Sequence, residues 1–102
     1  MLRLGYGGDE MYLVLVYDIN LDQKGQKILR NVFKICKKYL IHIQNSVFEG
    51  EMSESQFMEM KIALRGLLRE GQDSCMVFKS RNNKWLEKEF LVKEADNTSA
   101  FL

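Results

Sequence analysis

The chain has 102 residues, 46% of them apolar, and a formal net charge of +1. That length suits one domain with one modest core rather than two, and a balance so near neutral excludes bulk charge as a guide to any partner. Two cysteines without a CxxC spacing, together with a lone histidine, His42, exclude a zinc site assembled from sequence.

Tyr12 to Ile19 is nearly continuously apolar and rich in valine, which predicts a central strand covered on at least one face. Asp22 can cap a helix running to about Tyr39, whose apolar residues Ile28, Leu29, Val32, Phe33, Ile35, Cys36 and Tyr39 fall along one stripe. Gly25 lies in its first turn, where a glycine costs least. Ile41 to Glu51 is the next extended segment, and the polar "QNS" in its middle predicts a bend or bulge between two short strands. Ser53 and Gln56 have the spacing of a capping box that opens a second helix. Its stripe is Phe57, Met60, Leu64, Leu67 and Leu68, and Gly71 supplies a stop. Ser74 to Lys79 reads as a strand, "SRNNK" as a turn, Trp85 to Val92 as a last strand with Trp85 its packing anchor, and residues 93–102 as a tail.

The order β-α-β-β-α-β predicts an α+β, ferredoxin-like split sheet with two helices on one face and an extra C-terminal strand. Tyr12, Val14 and Val16 alternate with Leu13, Leu15 and Tyr17, so both faces of the first strand are apolar. One set packs on the helices. The other needs a cover, for which a second copy of the sheet is the simplest, and a two-fold homodimer is expected. No apolar run approaches the ~20 residues that cross a bilayer, and no signal peptide precedes the first strand. Cys36 and Cys75 fall in apolar patterns and read as buried hydrophobes in a reducing compartment. A cytoplasmic protein without a membrane partner is expected.

Two features point to chemistry. Between Gln23 and Phe48 stand six bases and no acid: Lys24, Lys27, Arg30, Lys34, Lys37 and Lys38. Such a surface attracts phosphate, although a plain solvated helix face has the same pattern. The second feature is Asp18, a lone acid at the end of the first strand. It either accepts backbone N–H bonds from the turn "INLD" or holds a cation. One aspartate makes no strong Mg²⁺ site, but two Asp18 side chains facing across a dimer axis can share a hydrated Mg²⁺ or another divalent cation. That ion would activate a water and neutralise a phosphate.

At "VYDIN" and "HIQNSVFEGEM" the sequence resembles the small CRISPR-associated endoribonuclease family, the ferredoxin-like dimers that join the CRISPR integrase in spacer acquisition. The resemblance covers about Met11 to Val92. It implies that Asp18 is the catalytic and metal-binding residue, with Tyr17, Ser46 and Phe48 near the dimer axis. It also implies that the last strand pairs with the partner subunit's sheet. Members act as metal-dependent nucleases on single-stranded RNA or double-stranded DNA, or as non-catalytic adaptors on DNA. Two departures remove potential phosphate contacts: His42 stands where many members have arginine, and Lys24 is followed by Gly25 where many carry paired bases. His42 itself reads as a strand residue rather than a general base. Arg65 and Arg69 are further candidates for holding phosphate, and Arg69 also suits a helix C-terminus.

A toxin-like ribonuclease of the virulence-associated protein D type shares the fold and stands as an alternative. A small-molecule regulatory domain lacks its glycine-rich turn here, and an RNA-recognition motif lacks its aromatic strand. Family members usually begin at the methionine equivalent to Met11. "GGDEM" can be written GGA-GGT-GAT-GAA-ATG, which contains a ribosome-binding sequence. Residues 1 to 10 are therefore expected to be a disordered leader translated from an early start.

Overall fold

The computed structural model of the chain describes residues 10–81 and 87–92. The expectations placed on the leader, on Trp85 and on the 93–102 tail lie outside those residues, except that Glu10 already belongs to the first strand. The described elements are β1 (Glu10–Asp18), α1 (Gly25–Tyr39), β2 (Ile41–Gln44), β3 (Val47–Ser53), α2 (Glu54–Arg65) and β4 (Ser74–Ser80). They build a four-stranded sheet in the order β2-β3-β1-β4 with every pairing antiparallel. This is the ferredoxin-like arrangement, with β1 in the interior. Among the described residues no helix is long and apolar enough to cross a membrane.

Alternation along β1 decides how the layers assemble. Met11, Leu13, Leu15 and Tyr17 are buried under the helices with Val32, Cys36, Phe48, Met52, Phe57, Met60 and Leu64. Burying a side chain such as Leu13 or Leu15 contributes roughly 1.5–3 kcal/mol, so the helix side of β1 anchors the core. The other set, Tyr12, Val14 and Val16, faces away from the helices. Across the ladder it is flanked by Val47, Glu49 and Glu51 on one side and by Met76, Phe78 and Ser80 on the other. Met76 is 56% and Phe78 53% exposed, so among the described residues this face presents apolar side chains that the helices do not cover.

The bend expected at "QNS" is present. The β2–β3 register shifts between His42 and Gln44, and Asn45 turns the chain with φ at 44°. The capping box at the start of α2 is also formed: the Gln56 amide donates to Ser53 Oγ at 3.2 Å, and the Ser53 amide donates to Gln56 Oε1 at 2.9 Å.

Three boundaries differ from the sequence reading. First, α1 starts at Gly25 rather than directly after Asp22, because the Asp22 carboxylate accepts the Lys24 and Gly25 amides in a turn before the helix. Second, α2 ends at Arg65 with Gly66 as its cap, well before Gly71. Leu67 and Leu68 pack on the core from a turn that follows the helix, so the apolar stripe outlasts the helix and hides its end. Gly71, with φ at 82°, instead makes the turn into β4, a backbone state that glycine adopts without strain. Third, residues 87–92 form no strand in the single chain. Both sides of β1 are already occupied, and this segment lies over the open face, where Lys88 pairs with Glu49. Phe90 lines a groove of about 350 Å³ with Val14, Val47 and Phe78.

Gly25 is required for space. A Cβ there would stand 2.0 Å from the Asn20 carbonyl oxygen, so any side chain would force the backbone apart. Gly25→Ala is expected to cost about 1–3 kcal/mol through forced backbone movement, read as a lower urea midpoint. Gly66→Ala, with its nearest neighbour at 3.5 Å, serves as the near-neutral comparison.

Candidate functional site

Asp18 is the last residue of β1, where the strand passes into the loop. By the two-residue repeat it shares the open face with Val14 and Val16, and it pairs in register with Ser74 at the start of β4. Its side chain is exposed. The bland role for such an aspartate is to accept amides of the next turn. Among the described residues the Asp18 side chain makes no hydrogen bond or ion pair, so that role is not its own here.

Two other acids perform it. Asp22 accepts the Lys24 and Gly25 amides at 3.2 and 3.0 Å, and Asp73 accepts the Asn20 amide at 3.0 Å. Arg69 joins them. Its Nη1 donates to both Asp22 oxygens at 2.8 and 2.9 Å. Its Nε and Nη2 donate to Asp73 at 2.9 and 3.0 Å, and Nη2 also reaches the Asn20 carbonyl at 2.8 Å. Hydrogen bonds from the Arg69 guanidinium hold the Asp73 carboxyl down at about 2 and lower that of Asp22. Arg69 is therefore engaged by two acids and a carbonyl within the subunit. Arg65 is exposed. Asp73 was missed in the sequence, although its i,i+4 spacing from Arg69 was a visible signal.

Tyr17 and Phe48 belong to the core of the subunit. They are 3% and 0% exposed and stack at a centroid distance of 6.0 Å inside the subunit. The reason is parity: both residues fall on the helix-facing register of their strands. The Tyr17 hydroxyl is buried without a hydrogen-bond partner, and burial raises its pKa. Ser46 stands in the β2–β3 turn, where its carbonyl accepts the Tyr17 amide at 3.2 Å. That turn therefore borders the end of β1.

Lys24, Lys27, Arg30, Lys34, Lys37 and Lys38 are all exposed. From Lys27 onward their steps of three and four form one stripe along α1, about 16 Å long at 1.5 Å per residue. His42 packs edge-on to Phe33 and its Nε2–H donates to the Asn45 carbonyl at 2.8 Å, so it serves its own turn. Burial pushes the Cys36 thiol up to about 12 and raises Cys75 as well. Neither is poised as a thiolate ligand or nucleophile. Among the described residues no three His, Cys, Asp or Glu side chains are grouped to hold a metal. At the end of β1 the described residues thus present one carboxylate, that of Asp18, without a side-chain partner.

A βαββαβ sheet with a bare apolar face and a lone acid ending its first strand defines a class of small ferredoxin-like proteins. Within that class, the model of the family described as CRISPR associated protein Cas2 matches residues 11–88, and the chain belongs to this family. The CRISPR-associated endoribonuclease Cas2 of Fusobacterium nucleatum subsp. nucleatum is 53% identical over 96 residues, covering 94% of this chain and 91% of that protein. The CRISPR-associated endoribonuclease Cas2 2 of Moorella thermoacetica is 34% identical over 91 residues, 88% of this chain and all of the relative. The crystal structure of Streptococcus pyogenes Cas2 at pH 6.5 superposes with a TM-score of 0.68 at 30% identity, covering 78% of this chain and 98% of that one.

The Arg69 cluster makes a testable statement about acid. Asp22 and Asp73 have folded pKa values below the unfolded value of about 3.9. The stability they contribute is present above that value and is lost as pH falls towards about 2. Urea midpoints of the wild type should therefore drop more steeply between about pH 4 and 2 than those of Asp73→Asn, which starts lower at neutral pH. Parallel curves would contradict the assignment.

Proposed function

We propose that the chain is a nuclease of CRISPR adaptation that works as a two-fold dimer and cleaves phosphodiesters of single-stranded RNA or double-stranded DNA. The observation that carries this reading is Asp18: an exposed carboxylate without a partner, at the rim of an apolar face that lacks a cover. Pairing two open faces would bury Val14, Val16, Met76 and Phe78 of each copy. It would also bring two Asp18 side chains towards one axis. Two facing carboxylates repel unless they share a proton or a cation.

The donor chemistry fits a divalent ion held between subunits rather than within one. One or two carboxylates with several waters are what Mg²⁺ takes. When bound, the ion would supply an acidified water and charge neutralisation at the phosphate. Asp18 would hold it, and the α1 stripe would align the nucleic-acid backbone alongside. The named relatives are endoribonucleases, which supports RNA as a substrate. The partner in this setting would be the CRISPR integrase.

The exposed stripe of Lys27, Arg30, Lys34 and Lys37 favours a second reading, in which the dimer holds DNA beside the integrase without cutting it.

Cleavage of labelled single-stranded RNA and double-stranded DNA in Mg²⁺ or EDTA, with Asp18→Asn beside the wild type, separates the two. The nuclease reading expects metal-dependent cutting that falls to background in a folded, dimeric variant. Equal cutting by both proteins, or none by either, would leave the adaptor. Under either reading, Gln at Lys27, Lys34 and Lys37 should weaken binding. Removal of each phosphate-binding charge should lower the slope of log affinity against log salt by about one.

A further inference from the structure

The Asp18 side chain has no hydrogen bond within the described residues, so its place is set by the backbone that carries it. That backbone is fixed from two sides. Asp18 is in register with Ser74, and the residue before Ser74 is Asp73. The residue two beyond Asp18 is Asn20, which donates its amide to Asp73 at 3.0 Å and its side-chain amide to Gln72 at 2.6 Å. Both approaches converge on one guanidinium. Arg69 reaches Asn20, Asp22 and Asp73 with five side-chain hydrogen bonds, as many as it has N–H groups. The Asp73 side chain in this cluster is fully buried.

We infer that Arg69 is the positioning residue for Asp18. The inference rests on the reading of Asp18 as a ligand for a divalent cation shared between two copies. Such a site has a strict requirement. Each copy contributes one carboxylate, so a displacement in one chain is repeated in the other and the error in their separation doubles. Mg²⁺ accepts little deviation from octahedral geometry, and a shift on the order of 1 Å at a reacting centre is enough to cost activity.

The planar fork of arginine holds two carboxylates and a carbonyl at fixed mutual angles, which the single ammonium of lysine cannot do. Without it, Asp22 and Asp73 face each other as like charges across the loops that frame Asp18. The same saturation of donors removes Arg69 from any direct role on nucleic acid. Asp22 supports the clamp from the other end by ordering the amides of Lys24 and Gly25.

The test uses the full chain as a dimer and reads Mn²⁺ binding by electron paramagnetic resonance, apart from cleavage. Asp18→Asn defines background, Arg65→Gln is the basic-residue control, and Met60→Ala is a core variant that lowers Tm without touching the loops. The inference expects Arg69→Lys to fold, dimerise and bind nucleic acid in EDTA as wild type does. Its Mn²⁺ affinity, and the Mg²⁺ concentration for half-maximal cleavage, should worsen by about 10–100-fold. Arg65→Gln and Met60→Ala should keep wild-type Mn²⁺ affinity. If Arg69→Lys does not fold, Asp22→Asn and Asp73→Asn, each removing one arm, should show smaller losses in the same direction. Wild-type Mn²⁺ affinity in folded Arg69→Lys, or in both of the single-arm variants, overturns the role of Arg69 alone. Wild-type protein that binds no more Mn²⁺ than Asp18→Asn overturns the ligand reading itself, and the inference with it.

Discussion

The molecule is organised by a conflict within β1. This strand lies between two others, so its backbone groups are satisfied on both sides, and its side chains are apolar on both faces. Only one face can be covered by two short helices. Leu13 and Leu15 use that cover completely, and everything on the opposite parity is left outside. The bare face, the placement of Asp18 at its rim, and the seating of residues 87–92 across it all descend from this one imbalance.

Charge is sorted just as sharply at the end of β1. Three aspartates stand within reach of the same loops, and they do different work. Asp22 and Asp73 are occupied by amides and by Arg69. Asp18 is left alone on the apolar side. A carboxylate that could have been neutralised by a neighbouring arginine is spared because that arginine is fully engaged elsewhere. The bases of α1 are likewise exposed and unpaired with acids among the described residues, so the exposed bases and Asp18 stand on separate elements.

Much of this was legible in the sequence. The strand parity of "MYLVLVYD", the helical stripe of α1, the capping box at Ser53 and Gln56, and the irregularity at "QNS" each rest on local physics, and each gave the right element. What escaped detection was non-local. The end of α2 was obscured because Leu67 and Leu68 continue to face the core after the hydrogen bonds of the helix stop. That Tyr17 and Phe48 stack on each other inside the subunit joins two strands 31 residues apart, which no local pattern shows. The clamp at Arg69 joins positions 47 and 49 residues apart, and no periodicity carries that information. Asp18 could be singled out from its position, but that it lacks a partner is knowable only once the amides of the following turn have been assigned to other acids.

The two margins of the sheet are unlike each other. β2 is four residues long and irregular where it meets its neighbour, whereas β4 runs regularly for seven residues. A short, broken margin is a poor template for another strand, and a long, straight one is a good template. A molecule with one receptive margin and one blunted margin can be extended from a single side only. Growth into long ribbons needs both, so the blunted margin of β2 works against fibrillar association, whereas β4 is, among the described strands, the margin with the regular template.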